Sequence, residues 1–176
     1  MRAILRAVDG LQHFTQTLDT PVGRLALTEA GGALLRIAWA DREAGDPLAA
    51  ADETPLLDRA AAQLREYFAN KRRAFDLPLA PEGTAFQRRV WTAMARIPWG
   101  ETRSYGALAR DVGSAARAVG GACGANPIPI VIPCHRVLAT GGGLGGYSGG
   151  LGPATKTLLL ELEGVMAPAP DLFAPA

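Results

Sequence analysis

Alternating apolar and polar residues near the start of the chain predict a small antiparallel sheet. The predicted strands are residues 14–18, 24–28 and 33–39. Residues 19–23 and the pair Gly31-Gly32 separate them, and both have the composition of turns. A polar stretch containing Gly and Pro, residues 41–53, is predicted to be a loop.

A helix is predicted to follow this loop. Thr54 has the chemistry of a helix N-cap, and Pro55 suits the first helical position. Apolar residues then recur at helical spacing as far as Phe68, and the helix is expected to end near Asn70. The Pro- and Gly-containing residues 77–83 are predicted to be a linker between two domains.

The second half of the chain has the pattern of a mostly helical domain. Thr84 and Gln87 have the spacing of a capping box that opens a helix. Ser104 is expected to cap a short helix over residues 105–112, and Gly113-Ser114 leads into another over residues 115–125. Two short helices joined in this way predict a helix-turn-helix. A last helix is predicted from about residue 154, ending at Glu163-Gly164. The predicted fold class is therefore α+β: a small N-terminal sheet-plus-helix domain and a mostly helical C-terminal domain.

The second helix of the predicted helix-turn-helix consists almost entirely of alanine and glycine, with Arg117 as its only long polar side chain. Each interior glycine costs about 1 kcal/mol relative to alanine, so some contact must require the small face. Close packing against another helix is one explanation. The other is close approach to nucleic acid, because an ordinary helix is about 10–12 Å across and the DNA minor groove is only about 6 Å wide. In that case Arg117 would project into the duplex.

An apolar run, residues 128–132, is followed directly by Pro133, Cys134, His135 and Arg136. The run is too rich in proline for a helix and is predicted to be buried extended chain that leaves regular pairing at Pro133. A thiol at the end of a buried segment, with ionisable neighbours, indicates a reactive cysteine. A purely structural cysteine also fits, since free cysteines are often buried.

Composition narrows the classes of protein that fit. With 176 residues, 48% apolar and 20% charged, the chain has the composition of a soluble globular protein. It has neither an apolar run long enough to span a membrane nor a signal-peptide pattern. Two cysteines and two histidines cannot supply a clustered structural zinc site, so no metal and no cofactor are expected. We expect a free thiol in a reducing, cytoplasmic setting.

The charge is unevenly distributed. Residues 1–83 carry 10 Lys+Arg against 12 Asp+Glu, whereas residues 84–164 carry 8 against 4. The second half is therefore mildly basic, which permits an anionic partner without proving one.

Several short motifs, in this order, resemble the O6-alkylguanine-DNA alkyltransferases, DNA-repair proteins that move an alkyl group from a damaged base to their own cysteine. The resemblance is close over residues 84–164 and only general before them. The motifs that carry it are Phe86-Gln87-x-x-Val90-Trp91, Ile97-Pro98-Trp99-Gly100-Glu101-Thr102, Ser104-Tyr105, Ala115-Ala116-Arg117-Ala118-Val119-Gly120, Asn126-Pro127, Pro133-Cys134-His135-Arg136-Val137, Gly146-Tyr147-Ser148-Gly149-Gly150-Leu151 and Glu163-Gly164.

The resemblance implies two domains and a set of roles. Residues 1–80 would form an N-terminal α/β domain, ribonuclease-H-like in the family, and residues 84–165 a helix-turn-helix alkyl-acceptor domain. Residues 166–176 are predicted to be a disordered tail. The implied catalytic residues are Cys134 as nucleophile, an Asn126–His135–Glu163 network that takes its proton, and Tyr105 as proton donor to the leaving guanine. The implied substrate-binding residues are Val137, Tyr147 and Ser148. The implied DNA-binding residues are Ser104, Ala115, Ala116, Arg117 and Gly120.

The implied activity is a single-turnover transfer of methyl or alkyl from O6-alkylguanine in duplex DNA to Cys134, with O4-alkylthymine as a further candidate substrate. It would follow minor-groove binding and base flipping by a monomer. A lesion-binding sensor without catalysis is the main alternative, but such proteins lack the acceptor cysteine. A Cys–His hydrolase fits less well because His135 directly follows Cys134 and no oxyanion loop is evident. A plain helix-turn-helix regulator would be expected to carry basic clusters, which are missing.

Overall fold

The computed structural model describes residues 11–40 and 52–167. An antiparallel sheet opens this part of the chain, in the order β1 (His13–Thr20), β2 (Gly23–Ala30), β3 (Ala33–Trp39). The three predicted strands are confirmed, and the first two extend further than predicted because β1 and β2 stay paired up to Thr20 and Gly23. Most of the predicted loop, residues 41–51, lies outside the described residues, as do residues 1–10.

Helix α1 (Pro55–Phe68) covers one face of this sheet. The hydroxyl of Thr54 accepts a hydrogen bond from the backbone N–H of Leu57 at 3.2 Å, which is the predicted N-cap. Leu57 and Leu64 are fully buried under the helix, and burial of each such side chain contributes about 1.5–3 kcal/mol. The helix ends at Phe68, and two residues later Asn70 lies in the left-handed region, at a φ of 58°, as is common just after a helix.

Helices dominate the second half of the chain. Its elements are α2 (Ala85–Met94), β4 (Arg103–Ser104), α3 (Tyr105–Val112), α4 (Ala116–Gly124), a short 3₁₀ turn (Cys134–Arg136), β5 (Val137–Leu138) and α5 (Pro153–Leu162). The predicted capping box at Thr84 and Gln87 is present, and Ser104 caps α3 as expected. The pairing of β4 with β5, which is parallel, was not predicted. None of the helices within the described ranges is both long and apolar enough to cross a membrane.

The prediction of extended chain over residues 128–132 is wrong. The backbone N–H of Ile132 donates to the carbonyl of Ile128 at 2.9 Å, so the run closes a tight turn. Ile130 takes a φ of 73°, a conformation that costs a non-glycine residue about 1–2 kcal/mol. Its side chain is fully buried, and that burial offsets the strain. The residues are buried as predicted, but the turn folds the chain back so that Cys134 enters the site.

The sheet and the helical half share one apolar core. The β3 edge is hydrogen-bonded to the predicted linker, with the N–H of Leu34 donating to the carbonyl of Pro78 at 2.8 Å. Further along β3, the N–H of Ile37 donates to the carbonyl of Pro127 at 2.9 Å. The last strand of the sheet is therefore attached directly to the segment that leads into Cys134. Most of the predicted disordered tail, residues 168–176, lies outside the described residues.

Candidate active site

A cavity of about 1540 Å³ lies where the sheet meets the helical half. The strands β1 to β3 contribute one wall, including Arg36 and Trp39. The structure brings most of the sequence-predicted site residues to this cavity: Cys134, Asn126, Tyr105, Tyr147, Ser148, Arg117, Ala116 and Gly120. His135, Glu163 and Val137 are buried behind it.

Cys134 begins the 3₁₀ turn and is only 8% exposed. Burial raises the pKa of its thiol, because a thiolate is poorly solvated there. A hydrogen bond from the Asn126 side chain and the positive charge of Lys156 lower the pKa again without reversing the shift. The thiol is therefore protonated at rest and needs a base to become a nucleophile.

His135 is fully buried and is held by Glu163, the residue that ends α5. Its Nε2 lies 2.9 Å from the Oε1 atom of Glu163. Burial lowers the pKa of His135, and the Glu163 carboxylate opposes that shift. A neutral imidazole that donates its Nε2 proton to Glu163 leaves Nδ1 as an acceptor. Nδ1 is buried, and it has no hydrogen-bond partner among residues 11–40 and 52–167.

Glu163 is the most heavily hydrogen-bonded carboxylate of this site. Arg136 donates from Nε to Oε2 at 2.7 Å and from its NH2 group to Oε1 at 2.8 Å. The hydroxyl of Tyr67, from α1, donates to Oε1 at 2.8 Å. Burial alone would raise the pKa of Glu163, but the hydrogen bonds from His135 and Arg136 and the positive charge of Arg136 lower it to about 2. The carboxylate is therefore ionised throughout the neutral range and can accept the hydrogen bond from His135.

Of the predicted Asn126–His135–Glu163 network, only His135 and Glu163 are hydrogen-bonded to each other through their side chains. The amide nitrogen of Asn126 donates to the carbonyl of Ile132 at 2.7 Å, and its oxygen accepts from the N–H of Ile128 at 3.1 Å. Both bonds close the turn that precedes Cys134. Asn126 thus acts on the backbone and on the thiol, whereas His135 and Glu163 contact each other.

Val137 is buried, and its carbonyl already accepts a hydrogen bond from the ammonium group of Lys156 at 2.6 Å. The same ammonium group donates to the carbonyl of Leu144 at 2.5 Å and lies 5.9 Å from the centre of the Tyr105 ring. Lys156 is fully buried, and burial lowers its pKa. It connects the strand after Cys134 to the glycine-rich loop, residues 139–150.

Two tyrosines line the cavity. The hydroxyl of Tyr105 donates to the carbonyl of Gly146 at 3.4 Å, and burial raises the pKa of Tyr105 to about 12. Burial and the neighbouring Cys134 raise the pKa of Tyr147, whose buried hydroxyl has no partner of acceptable geometry in the described part of the chain. Both phenols are protonated at neutral pH. The hydroxyl of Ser148 lies beside them, 3.5 Å from the carbonyl of Gly124.

The small face of α4 is open. A Cβ atom added at Gly120, Gly121 or Gly124 would meet no described atom within 4 Å. Close packing against another helix therefore does not explain these glycines within the described residues, while approach by an external ligand still does. Arg117 is exposed at the start of α4.

The remaining predicted DNA contacts lie on α4, just before it and at the start of α3. Ala116 and Gly120, which belong to α4 itself, line the cavity, and Ala115 is exposed just before the helix. The hydroxyl of Ser104 caps α3, where it accepts a hydrogen bond from the N–H of Ala107 at 3.1 Å.

Three residues of the site were not singled out from sequence: Tyr67, Lys156 and Trp39. Tyr67 matched the apolar pattern of α1, and Lys156 is one lysine in an unremarkable helix. Trp39 ended a predicted strand. Arg136 is a fourth residue that was given no role, although it carried a signal, because it directly follows His135 in the motif.

Two sequence profiles match the chain. The profile described as the ribonuclease-like domain of 6-O-methylguanine DNA methyltransferase matches residues 14–81. The profile described as the DNA-binding domain of the same protein matches residues 85–165.

Curated relatives and solved structures agree with the profiles. The chain is 42% identical to the constitutive methylated-DNA–protein-cysteine methyltransferase of Bacillus subtilis, over 86% of this chain and 95% of the relative. It is 43% identical to the solved O6-methylguanine methyltransferase of Mycobacterium tuberculosis, with a TM-score of 0.76, over 90% of this chain and 96% of that one. A structure of Mycobacterium tuberculosis OGT in complex with DNA matches at 44% identity and a TM-score of 0.77, over 89% and 96% of the two chains.

Proposed function

The chain belongs to the 6-O-methylguanine DNA methyltransferase family, the methylated-DNA–protein-cysteine methyltransferases, and we propose that Cys134 is its alkyl acceptor. The substrate is O6-alkylguanine in duplex DNA, and O4-alkylthymine is a second possible substrate class. The observation that carries the proposal is the arrangement behind the cavity. A thiol on the cavity wall is followed in sequence by a buried histidine whose Nε2 is 2.9 Å from an ionised carboxylate.

The first step is removal of the thiol proton. Hydrogen bonding to Glu163 sets the tautomer of His135, so Nδ1 is the free acceptor and takes the proton through an intervening water. The Asn126 side chain and the Lys156 ammonium group both favour the thiolate. They stabilise negative charge at the moment when it forms.

The second step is a single displacement at the alkyl carbon. A sulfur–carbon bond forms, the bond between carbon and O6 breaks, and the electron pair passes to guanine, which takes a proton. Tyr105 is the proposed donor, since its raised pKa keeps it protonated until that point. The product at Cys134 is a thioether, which has no easy route of hydrolysis. Each molecule therefore acts once, and no second copy of the chain is needed.

DNA binding is assigned to α3, the Gly113-Ser114 turn and α4, acting as a helix-turn-helix. The open Ala/Gly face of α4 supports insertion into the minor groove. A base inside the duplex cannot reach a thiol that is 8% exposed, so the damaged base must leave the stack, with Arg117 filling the gap. Tyr147, Ser148 and the backbone at Val137 then read the flipped base.

The proposed function also includes a division of the chain into two domains. We place an N-terminal domain at residues 1–80 and the alkyl-acceptor domain at residues 84–165. The two matched profiles, residues 14–81 and 85–165, support a boundary near residue 83.

Intact mass spectrometry tests the proposal. The protein is incubated with a duplex that contains O6-methylguanine, and we expect a gain of one methyl group per chain, on Cys134, that saturates at one equivalent. Cys134→Ala should abolish transfer and keep duplex binding. Cys123→Ala is the matched control, since Cys123 lines the same cavity and its thiol lies 3.3 Å from the Met94 sulfur, away from the His135–Glu163 pair. Tight lesion binding without any mass gain would instead identify a sensor.

A further inference from the structure

Trp39, the last residue of β3, connects the N-terminal sheet with the glycine-rich loop. Its ring meets the Tyr147 ring edge-on, with centroids 6.5 Å apart and planes at 86°. We propose that Trp39 is a positioning residue that sets the place of Tyr147 and Ser148, and through them of the flipped base. This inference rests on the proposed function of the cavity.

The glycines of the loop are shaped to the indole ring. A Cβ atom on Gly149 would lie 2.5 Å from Cη2 and 2.6 Å from Cζ3 of Trp39. A Cβ atom on Gly150 would lie 2.7 Å from Nε1 of the same ring. Real Cβ atoms do not approach other atoms this closely, so only glycine allows the loop backbone to lie against the ring. Gly149 is needed for this contact and not for its backbone conformation, because its φ is not positive.

Trp39 is itself held firmly. Its indole N–H donates to the carbonyl of Val22 at 2.8 Å. Trp39 is paired in register with Leu25, and the N–H of the next residue, Ala40, donates to the carbonyl of Arg24 at 2.9 Å. The ring therefore has the rigidity of the sheet. A side chain on a rigid element can fix the position of a loop that has little structure of its own.

The loop held by Trp39 carries the groups closest to the chemistry. The Tyr147 hydroxyl is buried, and Tyr147 lines the same cavity as Cys134. A displacement of the loop by the size of one methyl group would move this hydroxyl and the proposed base contacts together. Misplacement on that scale slows a reaction far more than it weakens binding to the flanking duplex.

The chain offers a matched control in the same loop. Gly143 also has a φ that is not positive, and a Cβ atom there would meet only the Cβ of Ala139, at 3.7 Å, an ordinary contact. Gly143→Ala and Gly149→Ala therefore make the same chemical change in one loop. Only the second change pushes against Trp39.

The experiment compares Gly143→Ala, Gly149→Ala, Trp39→Ala and the double variant Trp39→Ala/Gly149→Ala. For each we would measure the transfer rate to Cys134 at saturating O6-methylguanine duplex, the half-saturating duplex concentration, and the affinity for undamaged duplex. Gly149→Ala should lower the saturating rate about tenfold or more and leave affinity for undamaged duplex unchanged. In the double variant the indole ring no longer blocks the added methyl group, and the remaining close atom is Cε1 of Tyr147, at 2.9 Å. The Tyr147 ring can shift into the space left by the indole, so the rate should recover most of the way to that of Trp39→Ala alone.

Two results would overturn the inference. One is a Gly149→Ala rate equal to that of Gly143→Ala. The other is an additive loss in the double variant, which would show that the methyl group acts without reference to the ring. A general loss of folding would lower affinity for undamaged duplex as well, and that readout separates it from positioning. Absence of transfer by the unaltered protein would instead overturn the proposed function.

Discussion

Replacing Glu163 by glutamine tests the centre of the site, because this carboxylate joins three separate parts of the chain. Its side chain is fully buried and accepts hydrogen bonds from His135, Arg136 and Tyr67. Glutamine keeps the shape but removes the charge, and it turns an NH2 group toward at least one of these donors. Breaking a buried, hydrogen-bonded ion pair in this way costs about 3–5 kcal/mol.

The pKa of Glu163 gives an independent magnitude. It falls from 4.5 to about 2 on folding. A shift of this size corresponds to about 3 kcal/mol of stability, in agreement with the mutational expectation. Because the folded-state pKa is the lower one, this stability is present above pH 4.5 and is lost as the pH falls from 4.5 toward 2.

Urea unfolding of the unaltered protein and of Glu163→Gln, at several pH values between 7 and 3, measures both quantities. We expect a difference of about 3 kcal/mol at pH 7 that shrinks as the pH falls below 4.5. Glu66→Gln is the control, since Glu66 forms an exposed ion pair with Arg72 at 2.6 Å and such pairs contribute about 0–1 kcal/mol. A difference below about 1 kcal/mol for Glu163→Gln, constant with pH, would refute the reasoning.

Further predictions concern residues around the cavity. Tyr67→Phe removes one hydrogen-bond donor to Glu163, so it should destabilise the protein by about 1–3 kcal/mol and slow alkyl transfer. Urea unfolding measures the loss of stability, and the transfer rate measures the loss of activity. Lys156→Met should slow transfer and raise the pH at which Cys134 reacts with iodoacetamide, because a charge that favours the thiolate is lost. Arg117→Ala should slow transfer to a paired lesion but not to one opposite an abasic site, where flipping needs less help; equal losses on both would argue against its role. Gly120→Ala should stabilise α4 by about 0.5–1 kcal/mol yet weaken duplex binding. Gly121 lies about 100° further round the helix and does not line the cavity, so Gly121→Ala should only stabilise α4; equal binding by both variants would argue against groove insertion by the side of α4 that carries Gly120.

Local sequence was enough for the existence of the five α-helices, and of the three strands of the N-terminal sheet, in the described part of the chain. Thr54, Thr84 and Ser104 cap the helices that they were expected to cap. Each cap is a contact between residues three apart in the chain, so the necessary chemistry is contained in a short window. The same holds for the strands, whose alternation reflects a core on one side of the sheet.

The prediction for residues 128–132 failed for the opposite reason. Pro129 and the β-branched residues around it favour extended chain locally. The turn depends instead on the Asn126 side chain and on complete burial of Ile130. Tertiary burial outweighed a local preference of about 1–2 kcal/mol.

By itself, the sequence determined which residues are the candidates for the chemistry: a Cys-His-Arg motif, a glycine-rich loop and a glutamate at the end of the last helix. Only the tertiary structure decided what surrounds them. Tyr67 and Glu163 are 96 residues apart in the chain, and their hydrogen bond exists only because α1 packs against the helical half. Trp39 likewise contacts the glycine-rich loop only because β3 packs against the helical half. Side-chain type and spacing limit the possible reaction, whereas the partners that orient the reacting groups depend on contacts between distant segments, which no local pattern records.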